Sequence, residues 1–216
     1  METIRGKHVS CMDASTLAER RAGYASVHID IGTGDGRFVR HIAQLSPNCL
    51  VIGIDTCREN LREVSRRAPA NALFVIANAQ QLPPELHGLA AHITINFPWG
   101  SLLEGLLTND PPMLEGFVRV AQLGALVEAR LNGGALAKVG WSLEPGTGCV
   151  KHALEVNGFQ MRVPLALTAH DLRECPTTWA KRLAFGRDPR AMYLRGTKRQ
   201  TVIASAAHAL SATTLR

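Results

Sequence analysis

The chain has 216 residues, 46% of them hydrophobic, which suffices for a buried core and reads as one domain over residues 1–204 with a small polar tail at 205–216. Its formal net charge is +6, and residues 173–199 carry eight basic side chains against two acids, so a polyanion such as RNA competes as partner with the plainer reading of a solvated face. No apolar stretch approaches the roughly 20 residues of a membrane span, no signal segment opens the chain, and five scattered cysteines lack a C-x-x-C pair, so a cytoplasmic protein without membrane, disulfide framework or metal is expected.

In chain order, the alternation of Val27, Ile29 and Ile31 predicts a strand over 27–31. Gly32, Gly34 and Gly36 then supply a turn, and helical spacing follows over 37–45. A second strand over 50–54 ends beside Asp55, and a helix over 59–67 carries Arg58, Arg62, Arg66 and Arg67 on or next to it. Strands at 73–76, 92–95 and 125–129 alternate with helices at 102–107 and 112–122. A helix at 148–157, a strand at 159–165 and a strand at 192–194 close the series with an antiparallel end. Such a βαβ series predicts an α/β fold: a mostly parallel sheet with helices on both faces and its ligand at the carboxyl ends of the strands, where Asp30 and Asp55 fall.

The glycine spacing bears on the ligand. Dinucleotide sites favour G-x-G-x-x-G with pyrophosphate on the helix N-terminus, whereas Arg37 stands here where the third glycine would fall. Asp30 and Asp35 would repel a pyrophosphate. S-adenosyl-L-methionine (SAM) has no phosphate; Asp30 can accept its ammonium and Asp55 its ribose diol. The competing readings are NAD and a turn that only connects two elements.

Two further segments bear aromatics. Asn96-Phe97-Pro98-Trp99-Gly100-Ser101 follows the fourth strand, and Trp179 lies inside the basic cluster, followed by Arg182 and Arg187. Phe97 and Trp99 are either core residues or faces for a target base. An enzyme acting on a base in structured RNA must unstack it, and stacking on aromatic faces returns roughly 1–3 kcal/mol per base.

These segments together resemble the aminoglycoside-resistance 16S rRNA adenine-N1 methyltransferases, whose target is the decoding-site adenine 1408 of helix 44. The resemblance runs over residues 3–199 and is carried by 27–37, 52–55 with Glu59-Asn60-Leu61, 82–86, 97–103 and 179–187. It implies a class I, Rossmann-like methyltransferase with seven strands that docks on the 30S subunit; nothing in the sequence demands more than a monomer. It further implies SAM contacts from Asp30, Gly32, Gly34, Asp55, Ala79, Gln80, Asn96, Phe97, Pro98, Trp99, Gly100, Ser101 and Thr177. Trp99 and Trp179 match the pair that sandwiches the flipped adenine, and Arg66, Arg67, Arg182 and Arg187 match rRNA-binding positions. Two departures stand out: Gln80 replaces the usual Glu, and the linker over 67–72 is shorter and less basic than the family's. From the residues alone, methylation of an exocyclic N6 amine, suggested by Asn96-Phe97-Pro98-Trp99, stays open beside N1. So does an RNA-binding protein with a weakened methyltransferase site.

Overall fold

The computed structural model describes residues 1–186 and 188–199; Arg187 and the expected tail over 205–216 lie outside the described residues. The chain opens with a hairpin of β1 (Glu2–Arg5) and β2 (His8–Cys11), followed by α1 (Ala14–Ala22), which Asp13 caps by accepting from the Thr16 N–H. The expected βαβ series follows as β3 (Ser26–Ile31), α2 (Arg37–Leu45), β4 (Cys49–Asp55), α3 (Arg58–Arg66) and β5 (Ala72–Ile76). Next come β6 (Ala90–Asn96), α4 (Gly100–Thr108), α5 (Pro111–Val120) and β7 (Ala121–Asn132). The last part holds α6 (Gly133–Lys138), α7 (Leu143–Val156), β8 (Phe159–Met161), β9 (Leu165–Ala166), α8 (Ala169–Glu174), α9 (Thr178–Ala184) and β10 (Ala191–Lys198).

Among the described residues the sheet has ten strands in the order β2-β1-β5-β4-β3-β6-β7-β10-β8, with β9 also on β10. Strands β5 to β7 pair in parallel, and β10 inserts antiparallel between β7 and β8. The run from β5 to β8 is the seven-stranded, mostly parallel sheet with an antiparallel end that the sequence predicts. The β1–β2 hairpin extends it beyond β5, and β9 adds a short pairing to β10.

Both faces are covered, as the alternation along β4 shows. Leu50, Ile52 and Ile54 join the cluster that includes Leu17, Leu103, Leu106, Leu114, Phe117, Val150 and Leu154, from α1, α4, α5 and α7. Val51 joins Val39, Ala43, Leu61 and Phe74, under α2 and α3. Every residue of β3 after Ser26 is buried, as expected for a strand covered on both sides.

Several boundaries differ from expectation, among them β10, which extends the expected 192–194 to Ala191–Lys198. The strand expected over 159–165 divides into β8 and β9 around Pro164, whose missing N–H cannot join a ladder. The helix expected from residue 148 begins at Leu143. Its Gly146 is a packing position, since a Cβ there would stand 2.6 Å from a Leu136 methyl of α6. α5 ends at Val120, before the expected 122, and β7 outruns the expected 125–129 at both ends.

Candidate functional site

The carboxyl ends of β3, β4, β5 and β6 surround a cavity of about 430 Å³, within the usual ~300–1,000 Å³ of small-molecule sites. The glycine turn forms one wall. Gly32 and Thr33 N–H groups both donate to the Ile54 carbonyl at 2.9 Å, stitching the turn to β4. Gly36 enters α2 with φ 66°, and a Cβ on it would stand 2.6 Å from both Phe74 and Val64, so only glycine fits there. Asp55 fixes the turn from the other side: its carboxylate accepts from the Gly34 N–H at 2.7 Å and the Cys57 N–H at 2.9 Å.

Asp30 lies at the cavity floor and is 1% exposed. Its Oδ1 accepts from the Thr94 hydroxyl at 2.6 Å and from Asn96 Nδ2 at 2.9 Å. Burial pushes the Asp30 carboxyl up to about 6, against those hydrogen bonds and the nearby Arg130 charge. The group is therefore charged at neutral pH, at a desolvation cost that a bound cation would offset.

The roof comes from α9. Thr177 caps it by accepting from the Ala180 N–H at 2.9 Å, and the Thr178 hydroxyl donates to Asp35 in the glycine turn. Trp179 then stacks on Trp99 with ring centroids 4.8 Å apart and 28° between planes. Cations cover the outer faces: Lys138 Nζ lies 4.7 Å from the Trp99 centroid, and the Arg182 guanidinium 5.2 Å from that of Trp179. Among the described residues the wall carries three carboxylates, Asp30, Asp35 and Asp55, against the single guanidinium of Arg182. That charge balance suits a cationic ligand and opposes a pyrophosphate.

Comparison with known proteins agrees with this geometry. Residues 2–198 match the family model of 16S rRNA (adenine(1408)-N(1))-methyltransferase (NpmA). An enzyme of that name from Streptoalloteichus hindustanus is 31% identical over 204 residues, covering 87% of this chain and 94% of the relative. One from Escherichia coli is 31% identical over 208 residues, with coverage of 87% and 94%. The chain belongs to the 16S rRNA (adenine(1408)-N(1))-methyltransferase family. The crystal structure of the 16S rRNA methyltransferase KamB matches this methyltransferase with a TM-score of 0.84 at 27% identity, over 93% of this chain and 100% of that one. A variant of the Catenulisporales acidiphilia 16S rRNA (adenine(1408)-N(1))-methyltransferase, solved with cosubstrate SAM, matches with a TM-score of 0.82 at 25% identity, over 94% and 98% of the two chains.

Most of the residues singled out from the methyltransferase's sequence converge here: Asp30, Gly32, Gly34, Asp55, Ala79, Asn96, Phe97, Pro98, Trp99, Ser101, Thr177, Trp179 and Arg182 all line the cavity. Gln80 and Gly100 do not. Gln80 follows Asn78 in a short 3-10 turn, and its side-chain oxygen accepts from Asn78 Nδ2 at 3.4 Å. Arg66 and Arg67 sit away from the cavity at the end of α3, where Arg66 pairs with Glu63 at 2.6 Å and packs by Gly6 of the β1–β2 turn.

Phe97 is foremost a core residue: it is 2% exposed and packs with Leu172, Cys175, Ala180 and Ala191. It thereby ties the loop bearing Trp99 to the helix bearing Trp179. Its left-handed backbone, φ 52°, costs about 1–3 kcal/mol for a non-glycine residue and is held by an N–H bond of 2.7 Å to the Arg130 carbonyl. Cavity residues that the sequence reading passed over include Phe38, Asn78 and Thr178. Thr178 stands between two residues that were read, and its role needs the fold, because its partner Asp35 is remote in sequence.

Proposed function

We propose that the protein transfers the methyl group of S-adenosyl-L-methionine to N1 of adenine 1408 in helix 44 of 16S rRNA, acting as a cytoplasmic monomer on the 30S subunit and conferring aminoglycoside resistance. The observation that carries this reading is the juxtaposition of an acid-lined cavity with a tryptophan pair at its roof. Asp30 accepts the cofactor's ammonium and Asp55 its ribose hydroxyls, using lone pairs left over after the Gly34 and Cys57 N–H bonds. Gly32, Gly34, Ala79 and the loop 96–101 shape the remaining wall, with Thr177 near the methionine end and Gln80 beside the adenine end.

When bound, SAM supplies an electrophilic methyl group on a sulfonium centre. Adenine N1 carries an in-plane lone pair and no proton at neutral pH, so no residue has to act as base, and the chain's contribution is positioning. Trp99 and Trp179 hold the two faces of the flipped base between them. Two stacking contacts of ~3.5 Å each require ~7 Å between the indoles, so the pair, now 4.8 Å apart, parts to admit it. As the adenine ring gains positive charge, the indole faces stabilise it by roughly 0.5–2 kcal/mol.

An N6 enzyme would use Asn96 as an acceptor for the exocyclic amine. Here the Asn96 carbonyl oxygen is held by Arg130 at 2.8 Å and its amide nitrogen donates to Asp30, which favours N1. The test is reverse transcription across 16S rRNA after purified 30S subunits are incubated with protein and SAM. N1 methylation blocks Watson–Crick pairing, so a stop at adenine 1408 is expected. Labelled methyl incorporation without a stop would overturn N1 as the acceptor, and no incorporation would overturn the enzymatic reading.

A further inference from the structure

A stripe of polar side chains crosses the sheet beneath the cavity, on the face covered by α2. The strand registers set it out in rows: His28 opposite His92, Asp30 opposite Thr94, Thr94 opposite Glu128, and Asn96 opposite Arg130, with Tyr193 and Arg195 of β10 beside Arg130 and Glu128. Side-chain contacts join the rows into a ring. From Asp30 it runs to Thr94 at 2.6 Å, from Thr94 to His28 Nε2 at 3.0 Å, and from His28 to His92 by ring stacking at 4.1 Å. His92 Nε2 lies 3.3 Å from Glu128, Glu128 lies 3.9 Å from Arg130, and Arg130 Nη1 donates to Asn96 Oδ1 at 2.8 Å. Asn96 Nδ2 closes the ring on Asp30 at 2.9 Å.

The donors and acceptors fix the direction of every link around Asp30. A guanidinium can only donate, so Arg130 obliges Asn96 to turn its carbonyl oxygen toward it and its NH2 toward Asp30. Without Arg130 the amide is free to rotate and set its oxygen against the carboxylate. Thr94 gives its one proton to Asp30, so His28 must donate from Nε2, and burial pushes the His28 imidazole down to about 3, leaving it neutral. Glu128 holds Arg130 in turn: burial opposes its charge, but the close approach of His92, the hydrogen bond from Tyr193 and the Arg130 charge bring its carboxyl down to about 2. The Arg130 guanidinium also packs 5.1 Å from the Tyr193 ring centroid.

We propose that Arg130, which does not line the cavity, is a positioning residue for the cofactor's amino-acid end, orienting Asn96 so that Asp30 is held ready for the ammonium group. The inference rests on Asp30 being the ammonium acceptor. It separates two parts of one ligand: the ammonium would depend on the ring of side chains, whereas the adenosine end would be held by residues at the ends of β4 and β5 and would not.

The test compares two probes by calorimetry: S-adenosylhomocysteine, which carries the ammonium, and 5′-methylthioadenosine, which lacks the whole amino-acid part. Arg130→Met should weaken S-adenosylhomocysteine by at least about fivefold, the scale of a lost hydrogen bond in a charged network, and leave 5′-methylthioadenosine unchanged. Arg130→Lys keeps a charge and a donor and should restore most of the difference; the backbone bond from Phe97 N–H to the residue 130 carbonyl survives in both variants. Equal weakening of the two probes, or no weakening of either, would overturn the proposal. Asp30→Asn serves as the reference. If it weakens S-adenosylhomocysteine selectively while Arg130→Met does not, the inference about Arg130 fails alone. If Asp30→Asn does not discriminate between the probes, the assignment of Asp30 fails and the inference falls with it.

Discussion

Replacing Asp30 by asparagine should make the protein more stable and weaken its cofactor site. Burial raises the Asp30 carboxyl from 3.8 to about 6 in the folded chain. A folded pKa above the unfolded one contributes stability that is fully present below about 3.8 and lost as pH rises through about 6. At pH 7.5 the ionised group therefore costs the ligand-free fold about 3 kcal/mol, at ~1.36 kcal/mol per pKa unit. Asparagine resembles the uncharged form, and because Thr94 and Asn96 both donate to Oδ1, one amide oxygen can keep both bonds. For a chain of 216 residues this corresponds to a rise in Tm of about 6–12 °C at pH 7.5. The advantage of Asp30→Asn should shrink to about half at pH 5, where the wild-type carboxyl is mostly protonated in the folded state. Loss of the charge-assisted contact to the ammonium should weaken SAM by about 10- to 150-fold. Thermal melts at the two pH values and calorimetry with SAM check both halves. A lower Tm at pH 7.5 with SAM affinity intact would refute the reasoning that the site holds a desolvated charge for its ligand.

Trp179→Ala removes one face of the base clamp and should lower kcat/KM for 30S methylation by about 5- to 150-fold, the range of one base-stacking contact, with SAM affinity changed less than about threefold. Equal loss of methylation and SAM binding would show that Trp179 instead supports the cavity. Arg182→Ala should weaken 30S binding and reduce the slope of log affinity against log salt by about 1, as for one phosphate contact; an unchanged slope in filter binding would remove Arg182 from the rRNA interface. Gln80→Glu should shift SAM affinity by less than about fivefold, because the half-buried side chain lies off the cavity wall and a solvent-accessible charge contributes only ~0.2–1 kcal/mol. A tenfold gain in calorimetry would place residue 80 in contact with the cofactor.

The parts of the site legible in the sequence are those made by neighbours along the chain. The Gly32-Gly34-Gly36 turn, the acid ending β4 and the loop after β6 each announce themselves, because a turn, a strand end and a run of aromatics are local patterns. The helix that carries Trp179 is different. It has seven residues, too few for a periodic apolar face, and its place over the cavity is set by Thr178 reaching Asp35 and by Phe97 packing on Ala180. The expected helix omits the early turns of α7 because Pro145 and Gly146 disfavour a helix interior, although Gly146 is there to let α6 approach.

The ring beneath Asp30 did leave a trace in the sequence. Glu128 and Arg130 alternate with Val127, Ala129 and Leu131 along β7, which outruns the expected 125–129 inside a sheet covered on both faces. Charges at such positions are costly unless paired, so two of them in one interior strand imply partners on the adjoining strands. Asn96, the last residue of β6, is then the nearest candidate, since β6 lies parallel to β7 and its register meets Arg130 at that residue. What the sequence lacks is the register itself: a slip by one residue would send Arg130 to the opposite face, among the leucines of α5 and α7, and disconnect Asp30 from every charge behind it. The polar stripe thus fixes the pairing of β6 with β7 as much as it orients the carboxylate, because that one-residue slip would move the guanidinium of Arg130 and the carboxylate of Glu128 away from their partners at once.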